Sequence, residues 1–332
     1  MNAVPVSEAP LEAAFEGLIG QEAAVALLGR AVAQERIAPA YLFAGPAGIG
    51  RALAAARFAE IVLGAFSKHP QAEAVTRRRV IQRNHPDLLW VEPTYLHQGK
   101  RLNAAEAAEA GLKRKGSPQI RLEQIREIGQ FLSRPPLESR RSVVVIEGAE
   151  TMAEAPANGL LKTLEEPGQA TLILLAPDTN ALLPTLVSRC QMIPFRRLNP
   201  VQMETVLRAA GRPEVLASPE VLAMAQGSPG IAIDAYEQLQ AMPPELLQRL
   251  ASPPTSLRDA LERGRQIAQA LDTEAQLWLV DYLQHRYWQQ NASAGRQDLH
   301  HLEQARRFLR SYVQPRLVWE VTFMRLLETA PF

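Results

Sequence analysis

Tyr41-Leu42-Phe43-Ala44-Gly45-Pro46-Ala47-Gly48-Ile49-Gly50-Arg51-Ala52 has the layout of a phosphate-binding loop: a short apolar strand, a glycine-rich turn, and a helix predicted through Leu53 to Leu63. In the complete pattern, G-x-x-x-x-G-K-[ST], backbone N–H groups cradle phosphates and the lysine pairs with the β/γ oxygens. The hydroxyl ligates Mg²⁺. Here Gly45, Gly48 and Gly50 stand, but Arg51 replaces the lysine and Ala52 the hydroxyl. An alanine methyl cannot ligate magnesium, and a planar guanidinium does not sit where a compact ammonium does. The loop keeps the architecture of a nucleotide site without two of its working side chains.

Outward from the loop, strands alternate with helices. A helix is predicted within Phe15–Ile37, closed by Pro39, and buried strands are predicted at Leu88–Val91, Ser142–Glu147, Thr171–Leu175 and Gln191–Phe195. Between them the spacing predicts helices over Ile120–Leu132, from about Pro156 through Leu164, and over Ala181–Val187. This alternation argues for a parallel sheet covered on both faces. Residues 65–87 are polar and basic. Residues 93–119 lack a sustained apolar face and read as a surface insertion. After Pro200 the texture becomes helical, broken at Gly211-Arg212-Pro213, Gly227-Ser228-Pro229-Gly230, Pro243-Pro244 and Ser252-Pro253-Pro254.

Bulk composition narrows the class. A chain of 332 residues suits two or three domains, and 47% apolar with 21% charged residues is a globular balance. With 36 basic against 35 acidic residues, no global field announces nucleic acid. The one cysteine, Cys190, excludes an internal disulfide and fits a reducing compartment. No apolar leader region and no bilayer-length apolar run is present, so a cytoplasmic location is expected.

A P-loop hydrolase also needs a buried strand ending in Asp for Mg²⁺, often followed by a Glu that activates water. Val143-Val144-Val145-Ile146-Glu147-Gly148 is the candidate, with Glu147 one methylene too long and Gly148 without a side chain. Taken alone it reads equally well as a core strand ending at a surface acid. Altered lysine, hydroxyl, acid and base at one site argue together against hydrolysis.

Several blocks carry a closer resemblance: Gly20-Gln21, Leu42-Phe43-Ala44-Gly45-Pro46, His85-Pro86-Asp87, Gln124-Ile125-Arg126, Asn158-Gly159-Leu160-Leu161-Lys162-Thr163-Leu164-Glu165-Glu166-Pro167, Leu186-Val187-Ser188-Arg189-Cys190 and Gly227-Ser228-Pro229-Gly230. Over about residues 15–230 the chain resembles the delta-prime family of bacterial DNA polymerase III clamp-loader subunits, within the AAA+ superfamily. The resemblance implies an N-terminal arm (1–14), an α/β P-loop (AAA+) domain with a parallel sheet (15–199, insertion 93–119), a small helical lid domain (200–250) and an all-α C-terminal collar domain (251–332). It implies assembly with gamma/tau motor subunits and a delta subunit to place a sliding clamp on primer–template DNA.

The resemblance also assigns roles. Ser188-Arg189-Cys190 resembles the motif presented to a neighbour's ATP, which makes Arg189 an arginine finger acting in trans. Such a finger is worth on the order of 10³–10⁵ in rate. The plainer alternative is an arginine paired to a surface carboxylate. Motor subunits carry an arginine two residues after the Ser of Gly227-Ser228, where this chain has Gly230, and Pro177 falls where a polar sensor is expected. The interval 65–87 contains His69 and His85 but no cysteine, so the zinc module of many relatives is not expected. No cofactor is required on this reading, and ATP or ADP in the degenerate loop is left open. Lys162 is the candidate phosphate contact to the duplex. The other basic clusters read first as solvated faces and the C-terminal aromatics as core. The rivals are a self-sufficient AAA+ ATPase and a stand-alone DNA-binding protein.

Overall fold

The computed structural model describes residues 15, 17–65, 73–110, 117–290, 295–311 and 313–329. The expected arm 1–14, His69, Lys113-Arg114-Lys115 and Tyr312 lie outside the described residues. Among the described residues seven strands are present: β1 Ala40–Ala44, β2 Leu88–Val91, β3 Tyr95–His97, β4 Lys100–Leu102, β5 Ser142–Ile146, β6 Ala170–Ala176 and β7 Gln191–Pro194. The described helices begin with α1 Glu22–Ala33, α2 Arg51–Ala65, α3 Glu73–Ile81, α4 Ala104–Glu109, α5 Leu122–Leu132, α6 Glu154–Glu165 and α7 Pro184–Val187. Helices α8 Pro200–Ala209, α9 Pro219–Ala225, α10 Pro229–Ala241, α11 Pro244–Leu250, α12 Leu257–Ala270, α13 Thr273–Gln290, α14 Gly295–Arg310 and α15 Pro315–Thr329 follow.

The chain forms two compact units. One is built from the described residues of 1–104, 118–217 and 226–231, the other from those of 105–117, 218–225 and 232–332. In the first, a parallel five-stranded sheet runs in the order β2-β5-β6-β1-β7. Register alternates the two faces. Tyr41, Ile173 and Val145 lie side by side and join one core with Phe43, Phe58 and Val62. Leu42, Leu174 and Ile146 form the next row and join the opposite core with Ile125, Ile128, Leu160 and Leu164. Every residue of β5 and β6 is buried. This is what parallel strands covered on both faces require, and it explains their unbroken apolar runs.

Helix α2 buries Ala54, Ala55, Phe58, Ala59, Val62 and Leu63. Pro156 is the third residue of α6, inside the first turn, where its missing N–H leaves no intrahelical partner unmet. The helix predicted over Ala181–Val187 is instead a 3₁₀ turn at Thr179–Ala181 followed by α7. Asp178 caps the turn, its carboxylate accepting from the N–H of Asn180 and Ala181, and Pro184 opens α7. The insertion carries a β3–β4 hairpin, and Thr94 pairs with Gln119 where the segment departs and returns.

The second unit is helical and packs around residues that include Leu250, Ile267, Leu283, Tyr287, Trp319 and Phe323. Helices α12 and α15 approach so closely that a Cβ on Gly264 would lie 2.8 Å from the main-chain N of Glu320. Tyr282, Tyr287 and Trp319 are core, and Trp319 donates to Gln276 Oε1 at 2.9 Å. Trp278 stacks on Tyr282 at 5.4 Å. Among the described residues no helix is long and apolar enough to cross a membrane.

His85-Pro86-Asp87 has a local task. The Asp87 carboxylate accepts from the N–H of Leu137 (2.6 Å), Glu138 (2.9 Å) and Ser139 (2.7 Å), pinning the α5–β5 connection to the start of β2. Asp87→Ala leaves three main-chain donors without that acceptor and is expected to lower stability by about 2–4 kcal/mol in urea unfolding. Asp87→Asn, which keeps one acceptor oxygen, is expected to lose less.

Candidate functional site

The glycine turn and Glu147 follow the C-terminal ends of β1 and β5, while Ser188-Arg189-Cys190 precedes β7 at the opposite edge of the sheet. The loop leaves β1 at Gly45, whose N–H donates to Ala176 O at 3.1 Å, while Phe195 N donates to Ala44 O at 2.7 Å. A Cβ on Gly45 would lie 2.6 Å from Phe195 O, so the first glycine is there because two main chains meet. Gly48 and Gly50 take positive φ values of 72° and 99°. The Gln21 amide holds the loop from behind: Nε2 donates to Arg196 O (2.7 Å) and, more weakly, to Ile49 O (3.4 Å), and Oε1 accepts from Arg196 N (2.9 Å).

The loop is stitched to Ser228–Ile231. Gly230 N donates to Gly48 O at 2.9 Å, and Ser228 Oγ donates to Ala47 O at 2.7 Å. A Cβ on Gly230 would lie 2.6 Å from Gly48 Cα, and one on Gly48 would lie 2.7 Å from Ile231 N. The Gly230 position, where motor subunits were expected to carry arginine, therefore has no room for any side chain in this arrangement.

Arg51 opens α2 and is half-buried. Its Nη1 has no hydrogen-bond partner among the described residues. Burial draws its pKa down, opposed by the charges of Glu150 and, less strongly, Glu147. Glu147 turns toward β2: its Oε2 accepts from Trp90 Nε1 at 3.0 Å and lies 3.4 Å from Arg83 Nη2. Arg83 also pairs with Glu92 at 2.9 Å and lies 4.4 Å above the Trp90 ring. Gly148 has φ 63°, and a Cβ there would lie 2.7 Å from the Pro93 ring. The position after the acid thus excludes a side chain for steric as well as conformational reasons. Among the described residues no group of three or more His, Cys, Asp or Glu is arranged to hold a metal ion.

At the other end of the motif set, Ser188-Arg189-Cys190 links α7 to β7. Ser188 Oγ donates to Thr185 O at 3.1 Å. Arg189 is exposed; its Nη1 donates to Thr185 O at 3.0 Å and its Nη2 to Glu165 Oε1 at 2.7 Å. The carboxylate partner considered from sequence is present, and it comes from the Asn158–Pro167 block. Lys162 is exposed on α6. Of the basic residues at 77–83, Arg77, Arg79 and Arg83 each face a carboxylate, as does Arg306 in the second unit.

Sequence reasoning missed Glu150, Arg83 and Glu165 as partners of these residues. Glu150 alone had a local signal, since the left-handed Gly148 turns the chain directly after Glu147. The other two pairings span 64 and 24 positions and left none.

Cys190 packs at the edge of the core on the α5–α6 side of the sheet, and burial pushes its thiol up to about 11. Thiolate forms as pH rises through that value, so alkylation at pH 8 is expected to run about a hundredfold slower than for a thiol of ordinary pKa near 9. The rate should climb toward pH 11, and denaturation should abolish the difference.

Two family models match the chain. One, described as DNA polymerase III, delta subunit, matches residues 20–199. The other, described as cyanobacterial DNA polymerase III delta prime, C-terminal domain, matches residues 201–326. A DNA polymerase III subunit delta' from Bacillus subtilis is 31% identical over 180 residues, covering 54% of this chain and 48% of the relative. One from Pseudomonas aeruginosa is 34% identical over 200 residues, covering 58% and 54%. A DNA polymerase III subunit tau from Bacillus subtilis is 27% identical over 226 residues, covering 67% of this chain and 35% of the relative. The matched regions span about half the length of the two delta' relatives.

Proposed function

The chain belongs to the DNA polymerase III delta-prime family, and on that premise we propose that it is a clamp-loader subunit that does not hydrolyse ATP itself. It supplies Arg189 in trans to the ATP site of an adjacent gamma/tau-type motor subunit. With motor and delta subunits it loads a sliding clamp onto primer–template DNA in the cytoplasm, residues 251–332 serving as the assembly collar and residues 200–250 as the lid. No nucleotide or zinc is required in this chain, and Lys162 on the exposed side of α6 is the candidate contact to duplex phosphate.

The observation that carries the non-hydrolysing role is the main-chain contact between Gly48 and Gly230. At the Gly230 position, where the resemblance puts a motor subunit's arginine, a side chain would meet the Gly48 main chain. The engagement of Glu147 with Trp90 and Arg83 supports the same reading, since those contacts occupy the carboxylate. Ala52 offers no metal ligand in place of the missing hydroxyl. Each of these weighs against the rival, a self-sufficient motor ATPase.

The finger reading rests on charge and access. Arg189 is exposed, and a guanidinium has five N–H donors, so its two bonds within the chain leave three for a neighbour's γ-phosphate. In the reconstituted loader, Arg189→Ala is expected to slow the faced ATP site by on the order of 10³ while the complex still assembles. Single-turnover hydrolysis with gel filtration checks both parts, and unchanged turnover removes the finger. The purified chain alone is expected to release no phosphate from Mg²⁺-ATP, and sustained release would favour the motor reading.

A further inference from the structure

We propose that Glu165 is the positioning residue of the arginine finger, a role that rests on the finger reading of Arg189. Arginine is long and rotamer-rich, and a group that must meet a phosphate in a transition state gains from being held beforehand. Here the guanidinium is held at two points that belong to different elements. The Thr185 carbonyl, in α7, takes Nη1 at 3.0 Å, and the Glu165 carboxylate, the last residue of α6, takes Nη2 at 2.7 Å.

Both anchors are fixed from below. Helix α6 buries Leu160 and Leu164 in the core that also takes Leu186 of α7, so carboxylate and carbonyl are set by one packed layer. Of the two members of Glu165-Glu166, Glu165 reaches the guanidinium. The bond fixes a direction, since the side chains of Arg189 and Glu165 keep 37% and 52% of their surface exposed and the pair adds little stability by itself. A role in folding is therefore a poor account of it, and a role in aiming Arg189 is a better one.

The test uses the complete loader reconstituted with motor and delta subunits of the same organism. Wild-type, Glu165→Ala, Glu165→Gln, Arg189→Ala and Glu165→Ala/Arg189→Ala chains are compared for DNA-stimulated ATP turnover. Glu165→Ala is expected to lower kcat at the faced site about three- to tenfold with the KM for ATP unchanged. Glu165→Gln, which keeps an acceptor oxygen, should recover part of the loss. The double variant should be no slower than Arg189→Ala, because Glu165 acts only through the arginine.

A drop for Arg189→Ala with unchanged or faster turnover for Glu165→Ala overturns the positioning role and leaves the finger standing. Additive losses in the double variant overturn it equally. No effect of Arg189→Ala removes both.

Discussion

A strand with both faces in a core can carry polar chemistry only at its ends, and that constraint organises the first unit. Every side chain of β5 and β6 is withdrawn from water, as are the first four residues of β1. An uncompensated polar group along these strands would cost several kcal/mol, on the order of the net stability of a domain. The glycine-rich turn, Glu147, Pro177 and Arg189 therefore all sit where a strand is entered or left. The turn, Glu147 and Pro177 follow the C-terminal ends of β1, β5 and β6, whereas Arg189 precedes β7 at the opposite edge of the parallel sheet.

At the strand ends the chain packs closely where side chains are absent. Gly45 meets Phe195, Gly48 meets Gly230, and Gly148 meets Pro93, each at a separation that a Cβ would turn into a clash. Two of these are approaches of main chain to main chain, and the third sets the Gly148 main chain against the Pro93 ring. Glu147 is met by Trp90 and Arg83, while burial works against the charge of Arg51 and Glu150 offsets part of that cost.

The strands were legible because burial on both faces writes uninterrupted apolar runs. Leu88–Val91 was found to the residue, and Ser142–Glu147 and Gln191–Phe195 to within one position. Helix α3, with Arg77-Arg78-Arg79 at its centre, and the β3–β4 hairpin were not recognised. The first has little apolar periodicity, and the hairpin strands are three residues each, too short for alternation to register. At the site, the loop glycines and Arg189 stood out by spacing, while their partners did not. Glu165 and Glu166 are indistinguishable as letters; the helix turn decides which one faces Arg189. The aromatic residues of the C-terminal helices divide the same way, since burial of Tyr287 and Trp319 against exposure of Trp288 follows from packing that no local pattern records.

Gln21 ties these parts mechanically. One neutral amide spans Ile49 in the glycine turn and Arg196 beyond β7, the strand that continues from Arg189 through Cys190. A buried amide that loses a partner costs about 1–3 kcal/mol, so the turn and β7 shift in concert or pay that penalty. Because the amide carries no charge, the linkage is indifferent to ionic strength and to acid, unlike the ion pairs around it. The glycine turn and the far end of the strand that begins beside Arg189 are thus held by one side chain.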